Sequence, residues 1–305
     1  MDDAPYEQSS PAEQWNHDSV RRSLDELFNS ARKYTSSKEY HELISFVAKF
    51  RFYAPFNAML VHIQMPGATF VAPPYRWLRD YGRRIKAEAR PLVILQPMGP
   101  VLFVFDVSDT EPHPNCESSS LPPEVERPFE VRRGKIRGEL AQTIENAKRD
   151  GVAVSERQAG SQSAGEIRIA KGKNLKVLAK QGPEPEYVMV PQRYELLLNE
   201  NHSDEAKYAT LVHELGHLYC GHLGTPNPQW WPDRRGLSQT VCEFEAESVC
   251  YLVCRRQGID NPSDEYLANY VKEHAETPAI SLDCVMKAAG LIEKMGRERL
   301  KPRKE

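Results

Sequence analysis

His213-Glu214-Leu215-Gly216-His217 reads H-E-x-x-H, and the sequence around it has the pattern of a helix. Residues four apart on a helix stand one above the other on the same face. His213 and His217 can therefore grip one metal ion, with Glu214 beside them to take the proton of an attacking water. A chain of this length and composition contains the pattern by chance about once in forty, so the flanking residues have to carry the reading. They do so in two ways. Ser203 is a good N-cap, and Asp204 and Glu205 suit the positive end of the helix dipole. Ala209, Val212, Gly216 and Tyr219 then form an apolar stripe with the two histidines immediately beside it. The helix is expected to end near Gly221 to Gly224, before Pro226.

Two histidines do not make a catalytic metal site; a third protein ligand is needed, with water in the fourth place. Candidates lie in Glu243-Phe244-Glu245-Ala246-Glu247, inside a second long helix expected over residues 240–257. Its stripe of Cys242, Ala246, Val249 and Val253 should face the core. At about 100° per residue, Glu243 and Glu247 fall on one flank of that stripe and Glu245 on the other. Cys250 and Cys254 continue the Glu243 flank, and cysteine tends to be buried, which tilts the choice slightly toward Glu243. Thr240-x-x-Glu243 also matches a capping box, in which Glu243 would serve only the helix end. His222, about 140° around the helix from His217, is expected as a supporting or surface histidine rather than a fourth ligand.

Ala209 to His217 followed by Glu243-x-x-Ala246-Glu247 resembles the ImmA/IrrE group of zinc metallopeptidases, and is similar to the peptidase half of ArdC-type antirestriction proteins. The resemblance covers roughly residues 135–260. It implies a zincin-like fold with one zinc per chain, manganese being the alternative metal. It also implies Glu243 as the third ligand and Glu247 as the acid that steadies a ligand histidine. The acid at Glu245 departs from the pattern and remains a rival ligand. In such a fold the substrate commonly lies along an edge strand, and Tyr187-Val188-Met189-Val190 is the candidate for it. The fold class expected is α+β: a zincin-like domain of a short sheet plus active-site helices, preceded by a small α+β domain.

The rest of the chain fits that division. Residues 1–16 are polar and read as a tail. Two amphipathic helices are expected between residues 19 and 50, and a third around residues 56–64, within a domain spanning 17–110. Residues 111–134, rich in proline, serine and acids, read as a linker. The remainder, 135–300, opens with a helix and three short strands (152–154, 166–170 and 187–190) and is otherwise helical, closing with helices near residues 264–275 and 282–299. The six cysteines include no C-x-x-C pair, which favours reduced thiols over a disulfide framework or a cysteine-rich zinc site. No apolar run approaches the ~20 residues that cross a membrane, and the acidic start Met1-Asp2-Asp3 is unlike a secretory leader. A cytoplasmic protein is expected.

The net charge of −3 gives no bulk attraction to nucleic acid. Residues 49–107 differ, with eight Lys/Arg against three acids and ten aromatics, among them Phe52, Tyr53, Phe56, Tyr75, Trp77 and Tyr81. Cations interleaved with aromatics are what single-stranded nucleic acid binding uses, although aromatics also build cores. Tyr53 to Leu60, Pro66-Gly67-Ala68, Trp77 and Val104 to Ser108 resemble the N-terminal domain of ArdC proteins, which implies single-stranded DNA as a partner. The function expected is a zinc endopeptidase acting on an intracellular protein such as a repressor. The alternative is a DNA-binding antirestriction or stress-response protein whose metal site is structural or regulatory.

Overall fold

The computed structural model describes residues 34, 36–96, 99–116, 121, 135–158 and 165–303. The first of the two helices expected between residues 19 and 50, and most of the linker, lie outside these residues. The architecture is mixed α and β, as the sequence predicts.

In chain order the front part contains α1 (Ser37–Lys49), α2 (Pro55–Gln64), β1 (Val71–Ala72), α3 (Pro74–Tyr81), β2 (Arg83–Ile85), β3 (Leu92–Gln96), β4 (Gly99–Asp106) and β5 (Thr110–Pro112). Prolines at the first turns of α2 and α3 start those helices, where no backbone donor is lost. β4 lies between β1 and β3 in an antiparallel sheet, and β2 pairs with β5.

The second part begins with α4 (Glu139–Lys148), followed by β6 (Val152–Arg157), β7 (Gly165–Ile169), β8 (Leu175–Lys180), β9 (Glu186–Val190) and β10 (Tyr194–Asn199). Then come α5 (Asp204–Tyr219), α6 (Gln239–Gln257), α7 (Pro262–Glu273) and α8 (Leu282–Arg297). β10 is the central strand of a three-stranded sheet, parallel to β6 and antiparallel to β7. Its inward residues Tyr194, Leu196 and Leu198 are buried. β8 and β9 form a separate two-stranded hairpin.

One hydrophobic cluster runs through both parts. Tyr40, Leu43, Ile44 and Val47 of α1 and Met59 and Leu60 of α2 share it with Tyr208, Leu215, Val249, Met286 and Ile292. Hence α1 and α2, expected to belong to a separate domain, are packed into the same core as the helices carrying H-E-x-x-H and the acidic cluster. Polar contacts reinforce the joint. The buried Arg256 guanidinium donates to the carbonyls of Val47 (2.7 Å), Phe50 (2.8 Å) and Tyr53 (2.7 Å) and pairs with buried Glu293. Tyr40 donates to Ser248 Oγ at 2.8 Å. A smaller cluster of Phe70, Ala72 and Trp77 sits under α3.

Candidate metal centre

Two capped helices bring the site together. Ser203 Oγ accepts from the Ala206 amide (3.3 Å) to start α5, and Ser238 Oγ accepts from the Val241 amide (3.4 Å) to start α6. Because Ser238 is the cap, Thr240 and Glu243 do not form a capping box, and Glu243 is left one turn into the helix. α5 and α6 pack closely at Gly216. A Cβ there would stand 3.3 Å from both Ala246 Cα and Val249 Cβ, so the glycine sets the close approach of the two helices. Cys250 Sγ donates to the Ala209 carbonyl at 3.3 Å across the same contact.

That approach places three donor groups in one cluster. His213 Nε2 and His217 Nε2 are 3.2 Å apart, and Glu243 Oε2 lies 3.6 Å from the first and 3.7 Å from the second. Ligand atoms about 2.0–2.1 Å from a tetrahedral ion stand roughly 3.3 Å from each other. Two imidazoles and one carboxylate at this spacing fit such an ion, and the three residues form a group able to hold a metal. Burial by itself would lower the His213 pKa, but the Glu243 and Glu247 carboxylates outweigh it and push it up to about 9. The Glu243 carboxyl, facing both imidazoles, is held far below its ordinary range.

The remaining site residues fall around this cluster. Glu214 Oε2 accepts from the Ile167 amide of β7 at 3.0 Å, and burial raises its pKa above the ordinary carboxylate value. Glu247 Oε1 lies 3.6 Å from His213 Nδ1. His222 Nδ1 is 3.0 Å from His217 Nδ1, while its Nε2 is 2.9 Å from Glu245 Oε2. Burial lowers the His222 pKa, which favours a neutral ring. A neutral His222 that donates from Nε2 to the carboxylate must accept at Nδ1. His217 then carries its proton on Nδ1 and turns the lone pair of Nε2 into the cluster, the tautomer a metal ligand needs.

Glu245 is fully buried, and its oxygens meet His222, Arg234 and the Ser281 amide rather than His213 and His217. Both of its oxygens are held by Arg234, with Nη2 to Oε1 at 2.7 Å, and the Ser281 amide donates to Oε1 at 2.6 Å. Cys220, His222 and Glu245 also lie close enough to be a ligand group, but the Arg234 guanidinium already supplies their positive charge. Arg234, Ser281 and Ile167 had no signal in the sequence. All three reach the site from loops or strands far from the H-E-x-x-H motif.

Tyr187 to Val190 form β9, paired with β8 in a sheet separate from the one carrying Ile167. Tyr187, Val188 and Met189 are exposed, and the Lys176 ammonium sits 3.9 Å from the Tyr187 ring. In the front part Phe70 and Trp77 are core, with the Trp77 indole donating to the Phe105 carbonyl at 2.9 Å. Phe52 and Tyr75 are exposed, and the Arg79 guanidinium lies 5.8 Å from the Tyr75 ring. All six cysteines are free. Among the described residues no helix is long and apolar enough to cross a membrane.

Residues 168–251 match the Peptidase_M78 family, described as the IrrE N-terminal-like domain. This stretch, about a quarter of the chain, includes both α5 and the acidic cluster of α6, and is an ImmA/IrrE-type domain. The chain is 22% identical over 286 residues to an uncharacterized protein of Bacillus anthracis, covering 82% of this chain. It spans 46% of that relative's length. The chain is also similar to the metal-free crystal structure of the antirestriction ArdC protein from plasmid R388. That similarity covers 84% of this chain and 94% of the other, at 12% identity and a TM-score of 0.34.

Proposed function

We propose that this chain is a zinc-dependent peptidase that hydrolyses peptide bonds of a protein substrate. The observation that carries the reading is the spacing of His213 Nε2, His217 Nε2 and Glu243 Oε2, which matches the ligand set of one tetrahedral ion. The match of residues 168–251 to a peptidase family supports it. His213, His217 and Glu243 would hold the zinc ion, which would supply Lewis acidity to the scissile carbonyl and the attacking water. The protein's part is to hold the ligands and move the proton. Glu214, its carboxyl already raised by burial, takes the proton of the water and returns it to the leaving amine. Glu247 and His222 fix the orientation of the two imidazoles from behind.

In this reading the substrate strand is β7 rather than β9. The Glu214 carboxylate contacts the β7 backbone at Ile167, and β7 is one of the two outer strands of its sheet among the described residues. An extended peptide adding to that edge would run past the base. The test is a Glu214→Gln variant, which removes the base and leaves the ligands. It should keep one zinc per chain and lose about 10²–10⁴-fold in cleavage rate. Cleavage at the wild-type rate would refute the assignment.

A second reading, binding of single-stranded DNA by the front part, is favoured by the exposed pair Phe52 and Tyr75 with Arg79 near the latter. It predicts that a labelled oligonucleotide binds the full chain at low salt and weakens steeply with added salt. Replacing Phe52 and Tyr75 by alanine should reduce that binding several-fold; unchanged binding would remove these rings from the interface.

A further inference from the structure

A cavity of about 260 Å³ opens between the start of β10 and the loop that follows α5. Its walls include Ile169 and Tyr194 from the sheet, Gly224 from the loop, and three cations: Lys171, Arg193 and Arg235. No Asp or Glu is among the lining residues described, but Asp233 beside the cavity pairs with the Arg235 guanidinium through both oxygens, which leaves Lys171 and Arg193 as its excess positive charge. The site is held in shape. Gly224 has φ +80°, and a Cβ there would stand 2.8 Å from Arg235 Nε, so the guanidinium lies directly over the glycine. The Gly224 carbonyl accepts from the Trp231 indole at 2.8 Å. Arg235 Nε donates to Asp233 Oδ1 at 2.9 Å, and the Arg193 guanidinium sits 5.7 Å from the Trp230 ring.

The cavity lies at a defined step along β7. The Ala170 amide donates to the Arg193 carbonyl at 3.0 Å, so even-numbered residues of this strand turn their backbone groups toward β10. Odd-numbered residues turn outward, as the Ile167 amide does when it donates to Glu214. Ile169 therefore presents its amide and carbonyl to the edge of β7 that pairs with no strand among the described residues, two residues or about 7 Å along the strand from Ile167. Its side chain is exposed and lines the cavity. In a pair of strands, residues directly opposite each other point their side chains to the same face. A peptide pairing with Ile169 thus points one side chain into the cavity.

We infer that this cavity is a specificity subsite that takes the carboxylate of an Asp or Glu side chain, about two residues from the peptide bond that is cut. The inference rests on the peptidase reading for the position of the scissile bond, and on the cavity itself for the charge. The apolar wall accommodates the aliphatic stem and Lys171 and Arg193 receive the acid, Arg235 being paired with Asp233, whereas a lysine of similar length meets like charge.

The experiment uses the full chain as the zinc-loaded Glu214→Gln variant. The probes are three fluorescein-labelled alanine-rich hexapeptides carrying Glu, Gln or Lys at the third position, followed by anisotropy at low and moderate salt. The Glu peptide should bind about five- to tenfold more tightly than the Gln peptide, and the Lys peptide most weakly, with the spread shrinking as salt rises. Lys171→Glu, on an exposed side chain that does not endanger folding, should remove the preference for Glu. Adding Arg193→Glu should reverse it. Equal affinities for the three peptides, or no binding by a protein that retains its zinc, would overturn the inference. The peptidase reading fails separately. If the wild-type protein cuts nothing while the Glu preference and its loss in Lys171→Glu persist, the acidic subsite stands and the catalytic assignment falls.

Discussion

Glu243 and Glu245 sit two positions apart on α6, about 200° around the helix from each other, and have different partners. Glu243 faces the two imidazoles, partly open to solvent. Glu245 is closed in by Arg234, His222 and the Ser281 amide. The residue pattern left the two flanks nearly tied, since the angle separates the side chains but does not say which neighbours meet them. Arg234 is what gives the two carboxylates different surroundings, and it comes from a loop whose path the sequence does not disclose. Two predictions belong at this scale. Burial would raise the Glu245 carboxyl, but its three partners hold it below the ordinary value of 4.5. Its folded-state pKa is depressed, so its stabilisation is present above pH 4.5 and is lost as pH falls through the folded value. Glu245→Gln should cost about 3–5 kcal/mol in urea denaturation near neutral pH, because Arg234 loses its counter-charge in a buried setting. The difference from wild type should narrow as the pH falls below 4.5. A variant as stable as wild type at neutral pH would show that the pair does not hold the loop. For the metal, His213 has a pKa of about 9 in the metal-free site, so a proton must leave before the ring can ligate. Apparent zinc affinity should rise about tenfold per pH unit from pH 6 to 8. A pH-independent affinity in competition with a chelator would contradict that protonation state.

At the scale of elements, the contact between α5 and α6 is what turns two motifs into one site. Gly216 and Ala246 are the small residues at this contact, so close that a Cβ added at Gly216 would stand 3.3 Å from Ala246 Cα. Gly216→Val should force them apart, costing about 1–3 kcal/mol by overpacking and weakening zinc binding at least tenfold. Unchanged zinc affinity would mean that the spacing of the helices is not what sets the ligands. The helices were legible because Ser203, the charged first turn and the 3.6-residue periodicity agree with one another. Gly258, at φ +80°, ends α6 where the sequence places its stop. The strands were less so. Tyr194-Glu195-Leu196-Leu197-Leu198-Asn199, the centre of the sheet, is a leucine run without β-branched residues, so its composition does not separate strand from helix. Without β10 in place, β7 is not recognisable as the strand beside Glu214. Tyr187 to Val190, with its β-branched alternation, reads as the better strand, yet it forms a hairpin apart from that sheet.

For the whole molecule, the shared core makes the front helices part of the scaffold that carries the site. Composition separates residues 17–110 from the remainder through the proline-rich stretch between them, but proximity in sequence does not dictate which faces are covered. α1 and α2 cover faces of α6 and α8, and Arg256 fastens them through three backbone carbonyls and Glu293. Arg256→Ala leaves buried Glu293 with the half-exposed Arg297 alone and removes a donor from three backbone carbonyls, and should cost about 3 kcal/mol. Thermal unfolding of the intact chain should show a single cooperative transition for this core, and two well-separated transitions would restore two independent domains. In the proposed site His213, His217 and Glu243 together hold one zinc ion, and metal analysis of the purified full chain and its variants reads this out. One zinc per chain is expected in the wild type and in Glu214→Gln, and loss of that zinc in Glu243→Ala after dialysis against a weak chelator. Zinc retained undiminished in Glu243→Ala, or a folded wild-type chain that takes up none, would contradict it.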